Sequence, residues 1–324
     1  MSTLHALVAF SFEPKVVAAL LFGTAIYSLY SREGRRGIPR NKERVLVLGA
    51  SSGIGRAFAH AYSSRGAKVC IVGRRSDALE GVKSECLGRR AKTSNLEEPN
   101  AVISVVADFS NAADMNRVRE TLVEAWSGVD TVIVSAGVSA LRPLMEVAGV
   151  HEKGYQLTID DVQKVADVSN AAIRGNYTGP LVSAVTLIPL LESSSPSPSI
   201  LLISSLAALV PLPTRSLYCS TKAASLLLYQ SLMIEHPQIT FTTAIPGTIE
   251  GNFRASAVDQ GPVREADPNK RGLKADYVAR KCVEAVDSQQ REVLLPYWPC
   301  RLGHLLYWLF PGVAERMARK MYKF

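Results

Sequence analysis

Cysteine is scarce in this chain. The five cysteines among 324 residues (Cys70, Cys86, Cys219, Cys282, Cys300) are an odd number, widely spread, with no Cys-x-x-Cys pair. That argues against a disulfide framework and against a zinc or other metal site, and it fits reduced thiols in a cytosol-facing domain. Cys219 follows Tyr218 directly and on a helix would point elsewhere, so it reads as a neighbour rather than a nucleophile. Zinc-finger spacing and aromatic RNA-binding signatures are also missing, so nucleic acid is not an expected partner despite the net charge of +8. No internal repeat is visible. An uncharged run long enough for a full membrane span is lacking too: Val16–Tyr30 has fifteen residues, short of the ~20 that cross a bilayer.

What is present begins with the placement of the charge. Arginine and lysine crowd Arg32–Arg44, Arg74–Arg75 and Arg316–Lys323, each beside an apolar or glycine-rich segment. Such clusters suit a membrane surface or a phosphorylated cofactor. The basic residues that follow Val16–Tyr30 would lie on the cytosolic side, which favours an anchor with a cytosolic catalytic domain over a cleaved signal peptide. A membrane hairpin or monotopic insertion is the other reading of the segment. At the far end, aromatic residues between Tyr297 and Phe310 precede a helix-like run with Arg316, Arg319, Lys320 and Lys323 opposite Val313, Met317 and Met321. That composition suits an amphipathic element on membrane lipid, or a helix packed on the domain or on a second copy. The expected organisation is therefore residues 1–40 as anchor and basic linker, 41–296 as catalytic domain, and 297–324 as tail.

With 47% hydrophobic residues the chain can bury a substantial core. From Arg44 to Pro296, short β-branched runs alternate with longer helical patterns, the signature of an α/β fold with a parallel sheet covered on both faces. Seven strands are expected: Val45–Leu48, Lys68–Val72, Val102–Ala107, Thr131–Ser135, Ile200–Ser204, Thr240–Ile245 and Glu292–Leu295. Leu87–Asn100 and Ser193–Ser199 read as loops. Gly247–Arg271 is long for a connection and reads as a lid.

Three places carry chemistry. After the first strand comes Gly49-Ala-Ser51-Ser52-Gly53-Ile54-Gly55, where glycines permit a tight turn, and the following helix N-terminus offers N–H donors to a pyrophosphate. The second strand ends in Arg74 and Arg75, not in the acidic residue that would hold the ribose hydroxyls of NAD; a guanidinium there suits a ribose phosphate, hence NADP(H). Asp108, at the end of the third strand, is placed to meet an adenine or to cap the next helix. Finally, Tyr218 and Lys222 are four residues apart, on one face of a helix. A phenol titrates near pH 10, so a neighbouring ammonium that favours the phenolate would make it a usable acid/base at neutral pH.

Taken with Ser135-Ala136-Gly137, Asn176, Ser205 and Pro246-Gly247, these motifs recur in the order and spacing of the short-chain dehydrogenase/reductase family. The resemblance covers residues 44 to 296, and Ser204 to Lys222 resembles the membrane-bound hydroxysteroid dehydrogenase-like branch. The resemblance implies a Rossmann-type, doubly wound, mostly parallel seven-stranded sheet. It implies Tyr218 as acid/base, Lys222 as the group that tunes it and holds the nicotinamide ribose, Ser205 on the carbonyl oxygen, and Asn176 on a water linking Lys222 to solvent. Pro246 and Gly247, with Thr248 and Ile249, would close over the nicotinamide. Leu48, Ser135 and Gly251 depart from the family pattern, the first two affecting strands and the third the carboxamide contact. The implied function is NADPH-dependent reduction of a ketone or aldehyde on an apolar lipid, steroid or retinoid-like substrate at the endoplasmic reticulum membrane; whether the chain forms a homodimer through the helix bearing Tyr218, as many relatives do, is left open. A ketosphinganine-type reductase and a non-catalytic membrane-bound dinucleotide-binding scaffold are the alternatives.

Overall fold

Short runs of valine, isoleucine and leucine, with few polar interruptions, can only be buried from both sides, and they build the centre of the molecule. A computed structural model of the protein describes residues 37–91, 98–264 and 267–322, together with residues 18, 22, 23, 35 and 324. The seven strands are β1 (Arg44–Leu48), β2 (Lys68–Gly73), β3 (Val102–Val106), β4 (Thr131–Val134), β5 (Ser199–Ile203), β6 (Thr240–Pro246) and β7 (Glu292–Leu295). They lie in the order β3-β2-β1-β4-β5-β6-β7, and every neighbouring pair is parallel.

The connections are helical: α1 (Gly53–Ser64), α2 (Ser76–Ala91), α3 (Ala112–Trp126), α4 (Ile159–Ile173), α5 (Gly179–Ser194), α6 (Ser216–Glu235) and α7 (Ala275–Asp287). Side chains alternate across the sheet as strand geometry requires. Val45 and Val47 of β1 face a cluster with Phe58 and Tyr62 of α1, Leu79 of α2 and Val278 of α7. Leu46 and Leu48 face Met115 and Leu122 of α3, Leu187 and Leu191 of α5 and Tyr229 of α6. Burying each such aliphatic side chain contributes about 1.5–3 kcal/mol, so the two layers stabilise the sheet jointly. Strand order reverses between β1 and β4, and that switch opens the crevice where doubly wound folds bind ligands.

The structure adjusts several sequence expectations. Leu87–Asn100 is not a loop from its start: α2 continues through Ala91 because Cys86 and Arg90 are buried against the domain. Ser193 and Ser194 complete α5, and Ser199 opens β5. Between α4 and α5, Arg174–Thr178 forms a π-helical turn. The aromatic segment near the C-terminus is itself helical, as α8 (Tyr297–Leu309), and is followed by α9 (Pro311–Tyr322). Cys300, whose thiol donates to the Leu295 carbonyl, ties α8 to β7, and Tyr322 of α9 is buried, while Trp298 and Trp308 remain 67% and 75% exposed. Among the described residues no helix is long and apolar enough to cross a membrane. The anchor expected at Val16–Tyr30 lies outside the described residues, except for three helical, exposed positions, Ala18, Phe22 and Gly23.

The amino edge of the sheet is held by ionic contacts. Arg44 grips the buried Asp130 carboxylate through Nε at 2.9 Å and Nη2 at 2.8 Å, and its own amide donates to the same group. Burial alone would raise the Asp130 carboxyl, but these bonds from Arg44, with one from Ser195, outweigh it and hold the group below its usual range. Arg35 donates to Glu43 and Thr131 and to the carbonyls of Asp130 and Ser197, which ties the linker to the same edge.

Removing Arg44 would strand the buried carboxylate. Arg44→Met should cost about 3–5 kcal/mol in urea unfolding near neutral pH. Because the folded Asp130 value is depressed, its stabilisation is complete above the unfolded value of about 3.9 and is lost as pH falls through the folded one. The gap between wild type and variant should therefore narrow on acidification; a gap independent of pH would contradict the assignment.

Candidate active site

The turn after β1 needs backbone that side chains would obstruct. Gly49 has φ +90°, and a Cβ there would lie 2.6 Å from the Ala136 amide nitrogen; at Gly55 it would overlap the Gly49 carbonyl oxygen. Only glycine lets the two loops and the start of α1 close up in this way. Ser135 donates through Oγ to the Leu48 carbonyl at 2.6 Å, so the serine that departs from the family pattern stitches β4 to β1. Ile54 packs against the core behind the turn.

At the start of α1, Ser52 makes no side-chain capping bond, and the first turn carries no acidic residue. Ser52 and Gly53 are exposed. An uncapped helix end under a glycine turn fits a dinucleotide pyrophosphate, whose oxygens would accept from those amides. Arg75, rather than Arg74, lies on this turn: it donates to Ser51 Oγ at 3.0 Å and to Ser52 Oγ at 2.8 Å. Arg74 is exposed, and its charge acts on Asp108.

Asp108 does not cap α3; Asn111 takes that role by accepting from the Asp114 amide. The Asp108 carboxylate instead accepts from Ser110 and pairs with Arg174 at 3.0 Å. Partial burial opposes its ionisation, but the Ser110 hydrogen bonds and the Arg174 and Arg74 charges outweigh burial and keep it below the usual range.

Four of the expected catalytic side chains meet at the ends of β4 and β5. Tyr218 and Lys222 lie on α6 with 8% and 5% exposure. Lys222 donates through Nζ to the Ile203 carbonyl at 3.0 Å. A Cβ on Gly137 would stand 3.0 Å from Asn176 Oδ1 and 3.3 Å from Lys222 Nζ, so the absent side chain is what admits both groups. Asn176 is held by the backbone of Val138, accepting from its amide at 2.9 Å and donating to its carbonyl at 3.0 Å, and it also donates to Thr221. Ser205 lies just after β5 and is hydrogen-bonded to Tyr218.

The electrostatics differ from the expectation in one respect. Burial pushes the Tyr218 phenol above its ordinary value, and the groups that oppose burial are Ser205, Arg215 and Arg254. Lys222, expected to tune the phenol, directs its ammonium at the Ile203 carbonyl, and burial pushes it down to about 8. Sequence reasoning overlooked Arg215, although it stands three residues before Tyr218, a spacing that puts it on the same helical face.

Residues 247–264 and 267–271 lie over this edge. Gly247 donates to the Leu295 carbonyl at 2.8 Å, and Pro246 closes β6. The segment then runs beside Leu273, with Thr248 accepting from the Leu273 amide and Ile249 bridging to it. A 3-10 turn, Phe253–Ser256, brings the Phe253 ring edge-on to Tyr218 at 6.1 Å. Gly251, at φ +106°, donates its amide to Asn269 Oδ1. Farther along, Asp259 is 8% exposed and accepts from the Leu141 and Arg142 amides at 2.5 and 2.7 Å. That carboxylate latches the lid to the loop after β4, a contact with no signal in the sequence. A cavity lined by Arg142, Glu146, Lys164, Val168 and Val258 lies beside the latch.

A glycine turn at a topological switch point, with a buried tyrosine and lysine and a half-buried serine below it, defines a dinucleotide-binding site for oxidoreductase chemistry on an α/β fold. The comparisons agree. The family described as short chain dehydrogenase matches residues 43–261, and the chain belongs to it. It is 27% identical over 310 residues to dehydrogenase/reductase SDR family member 7B of Mus musculus, covering 93% of this chain and 88% of that one. To 11-beta-hydroxysteroid dehydrogenase A of Sesamum indicum it is 29% identical, over 86% and 75% of the two chains. Its similarity thus runs to the hydroxysteroid dehydrogenase-like branch. Among solved structures, a short chain dehydrogenase/reductase from Burkholderia phymatum in complex with NAD shares the fold with a TM-score of 0.68 at 20% identity, over 84% of this chain and 96% of that one. An alcohol dehydrogenase from Thermococcus sibiricus complexed with 5-hydroxy-NADP does so with a TM-score of 0.61 at 23% identity, over 78% and 95%. The protein is accordingly an oxidoreductase of the class that acts on CH–OH groups with a nicotinamide dinucleotide.

Releasing the latch should loosen the lid. Asp259→Ala leaves two amides without their acceptor, at about 1–3 kcal/mol each. Limited proteolysis should then cut within residues 251–264 faster than in wild type, with Asp259→Asn intermediate; equal cleavage rates in all three proteins would sink the latch.

Proposed function

We propose that the protein is an NADPH-dependent reductase of a ketone or aldehyde on an apolar substrate, able to run in reverse as an alcohol dehydrogenase. The observation that carries this reading is the convergence of Tyr218, Ser205, Lys222 and Asn176 at one edge of the sheet, beside the glycine turn. The dinucleotide, when bound, supplies the hydride that adds to the carbonyl carbon. Tyr218 gives its phenolic proton to the carbonyl oxygen, and Ser205 donates a hydrogen bond as charge develops there. Lys222 would hold the nicotinamide ribose, and Asn176, fixed by Val138, would order a water that returns a proton toward Tyr218 through Lys222. Gly49, Ser51, Ser52, Gly53, Ile54 and Gly55 form the pyrophosphate turn. Asp108 would meet the adenine end, and Ser135, Ala136 and Gly137 would flank the ribose side. Pro246, Gly247, Thr248 and Ile249 would cover the nicotinamide.

NADPH rather than NADH is favoured by two guanidiniums, Arg74 and Arg75, at the end of β2, with Arg75 already resting on the serines of the turn. An apolar substrate and a membrane address are favoured by the exposed Trp298, Leu302, Leu305, Trp308 and Phe310 of the C-terminal pair, beside Arg316, Arg319 and Lys320. The domain organisation that follows is residues 41–296 as catalytic unit and 297–324 as a lipid-facing tail.

Tyr218→Phe removes the proton donor and little else. It should lower kcat by about 100- to 10,000-fold while NADPH binding, followed by nucleotide fluorescence, is unchanged; a variant with normal turnover would refute the role. In a separate test, replacing Arg74 and Arg75 together by serine should lower kcat/KM for NADPH roughly 10- to 100-fold and leave that for NADH nearly as it was. An equal loss with both nucleotides would remove the argument for NADPH.

A further inference from the structure

The loop after β3 is fastened to the helical rod that carries Asn176. Arg174 opens the π-helical turn, and its guanidinium fork spans two residues of that loop: Nε donates to Ser110 Oγ at 2.9 Å, and Nη2 donates to Asp108 Oδ2 at 3.0 Å. Ser110 closes the ring, because its amide and its hydroxyl both donate to Asp108 Oδ1, at 3.0 and 2.7 Å. Just past the turn, a Cβ on Gly179 would overlap the Phe109 ring, so the residue between Asp108 and Ser110 sits on the same rod. Two neighbouring charges are engaged elsewhere: Arg117 donates to the Val106 carbonyl and to Asp114, and Asp114 accepts from the Asp108 amide. Arg74 acts on Asp108 through its charge, from the end of β2.

An ionised carboxylate accepts at about four sites. Among the described residues, Ser110 takes two on Oδ1 and Arg174 takes one on Oδ2, which leaves an acceptor position on Oδ2. The guanidinium on that same oxygen fixes where the position points. With side chains 62% and 23% exposed, the Arg174–Asp108 pair adds little to stability. What the fork supplies is direction. We propose that Arg174 is a positioning residue for the base of the cofactor: it aims the remaining Oδ2 position of Asp108 at the adenine amino group, so that the site selects adenine over hypoxanthine. The inference rests on Asp108 meeting the adenine end of the nucleotide and deepens that assignment. Hypoxanthine presents a carbonyl oxygen where adenine presents an N–H donor, and a site built to accept from the donor rejects the base that lacks it. A lysine at 174 would keep the charge but not the fork, and could not hold Ser110 and Asp108 together in the same plane.

The test measures binding of NADPH and of deamino-NADPH, its hypoxanthine form, to the full chain by nucleotide fluorescence. Wild type should bind NADPH about 10- to 100-fold more tightly than the deamino form. Arg174→Met should bring that ratio below about 3-fold, with Arg174→Lys between the two. A merely structural role would weaken both nucleotides alike, so an unchanged ratio in Arg174→Met overturns the proposal, as does a wild-type ratio near one. Should Arg174→Met not fold, as judged by circular dichroism, Ser110→Ala opens the same ring, and an unchanged ratio there overturns the proposal equally. Asp108→Ala separates the proposal from the assignment beneath it. If the ratio survives in Asp108→Ala, another group reads the base and both fall; if it is lost there but intact in Arg174→Met, only the role of Arg174 falls. Running NADH and deamino-NADH in parallel keeps the phosphate question apart: a protein that prefers NADH but still selects the base loses the argument for NADPH and retains this one. Binding needs no turnover, so an active Tyr218→Phe enzyme would defeat the reductase reading without touching this result.

Discussion

Parallel pairing of all seven strands is the constraint from which the site follows. In a parallel sheet every strand points the same way, so each strand-to-helix turn emerges at the carboxyl edge and each return connection at the amino edge. The glycine turn after β1, Gly137 after β4, Ser205 after β5 and Gly247 after β6 are thereby gathered along one rim, although nearly two hundred residues separate the first from the last. The strands need no polar side chain for this. Their buried valines, leucines and isoleucines fix the register, and the register fixes which loops become neighbours. The ionic contacts of Arg35, Arg44 and Asp130 all lie at the opposite edge, where they hold the sheet without competing for the crevice.

Within the crevice, burial governs the chemistry. A phenol and an ammonium that would each titrate near 10 in water are taken almost wholly out of it, and both neutral forms gain. The lid takes part through Phe253, whose ring covers Tyr218, and through Asp259, whose carboxylate binds the two amides after β4. Both are ordinary residues in an irregular segment, and their positions depend on contacts far away in sequence.

That difference explains what could be read from the sequence. The seven strands were legible because a strand buried on both faces must be an uninterrupted apolar run, and the observed limits fall within a residue of the expected ones at most ends. The glycine turn was legible because the backbone there forbids a side chain at Gly49 and Gly55. Loop limits were less so. The serines at 193 and 194 continue α5, where their hydroxyls bond back to carbonyls of the preceding turn. Asp108 met Arg174 from a helix 66 residues away, which local spacing cannot reveal. Arg215 is a different case: it precedes Tyr218 by three residues, a spacing visible in the sequence, and its guanidinium lies 5.4 Å from the ring centre.

The π-helical turn at Arg174–Thr178 has a consequence for how one rod serves two neighbours. An α-helix advances about 100° per residue, so an extra residue in a single turn rotates everything beyond it by roughly a quarter of a circle. Upstream of the turn, α4 lies against α6; downstream, α5 is rephased so that Ala184, Leu187 and Leu191 line up on α3 and the sheet. Asn176, inside the turn, belongs to neither phase and points where regular geometry would have placed another residue. Deleting one residue from that turn would restore a regular helix and swing one half of the rod out of alignment with its layer, a larger disturbance than most substitutions at the same place.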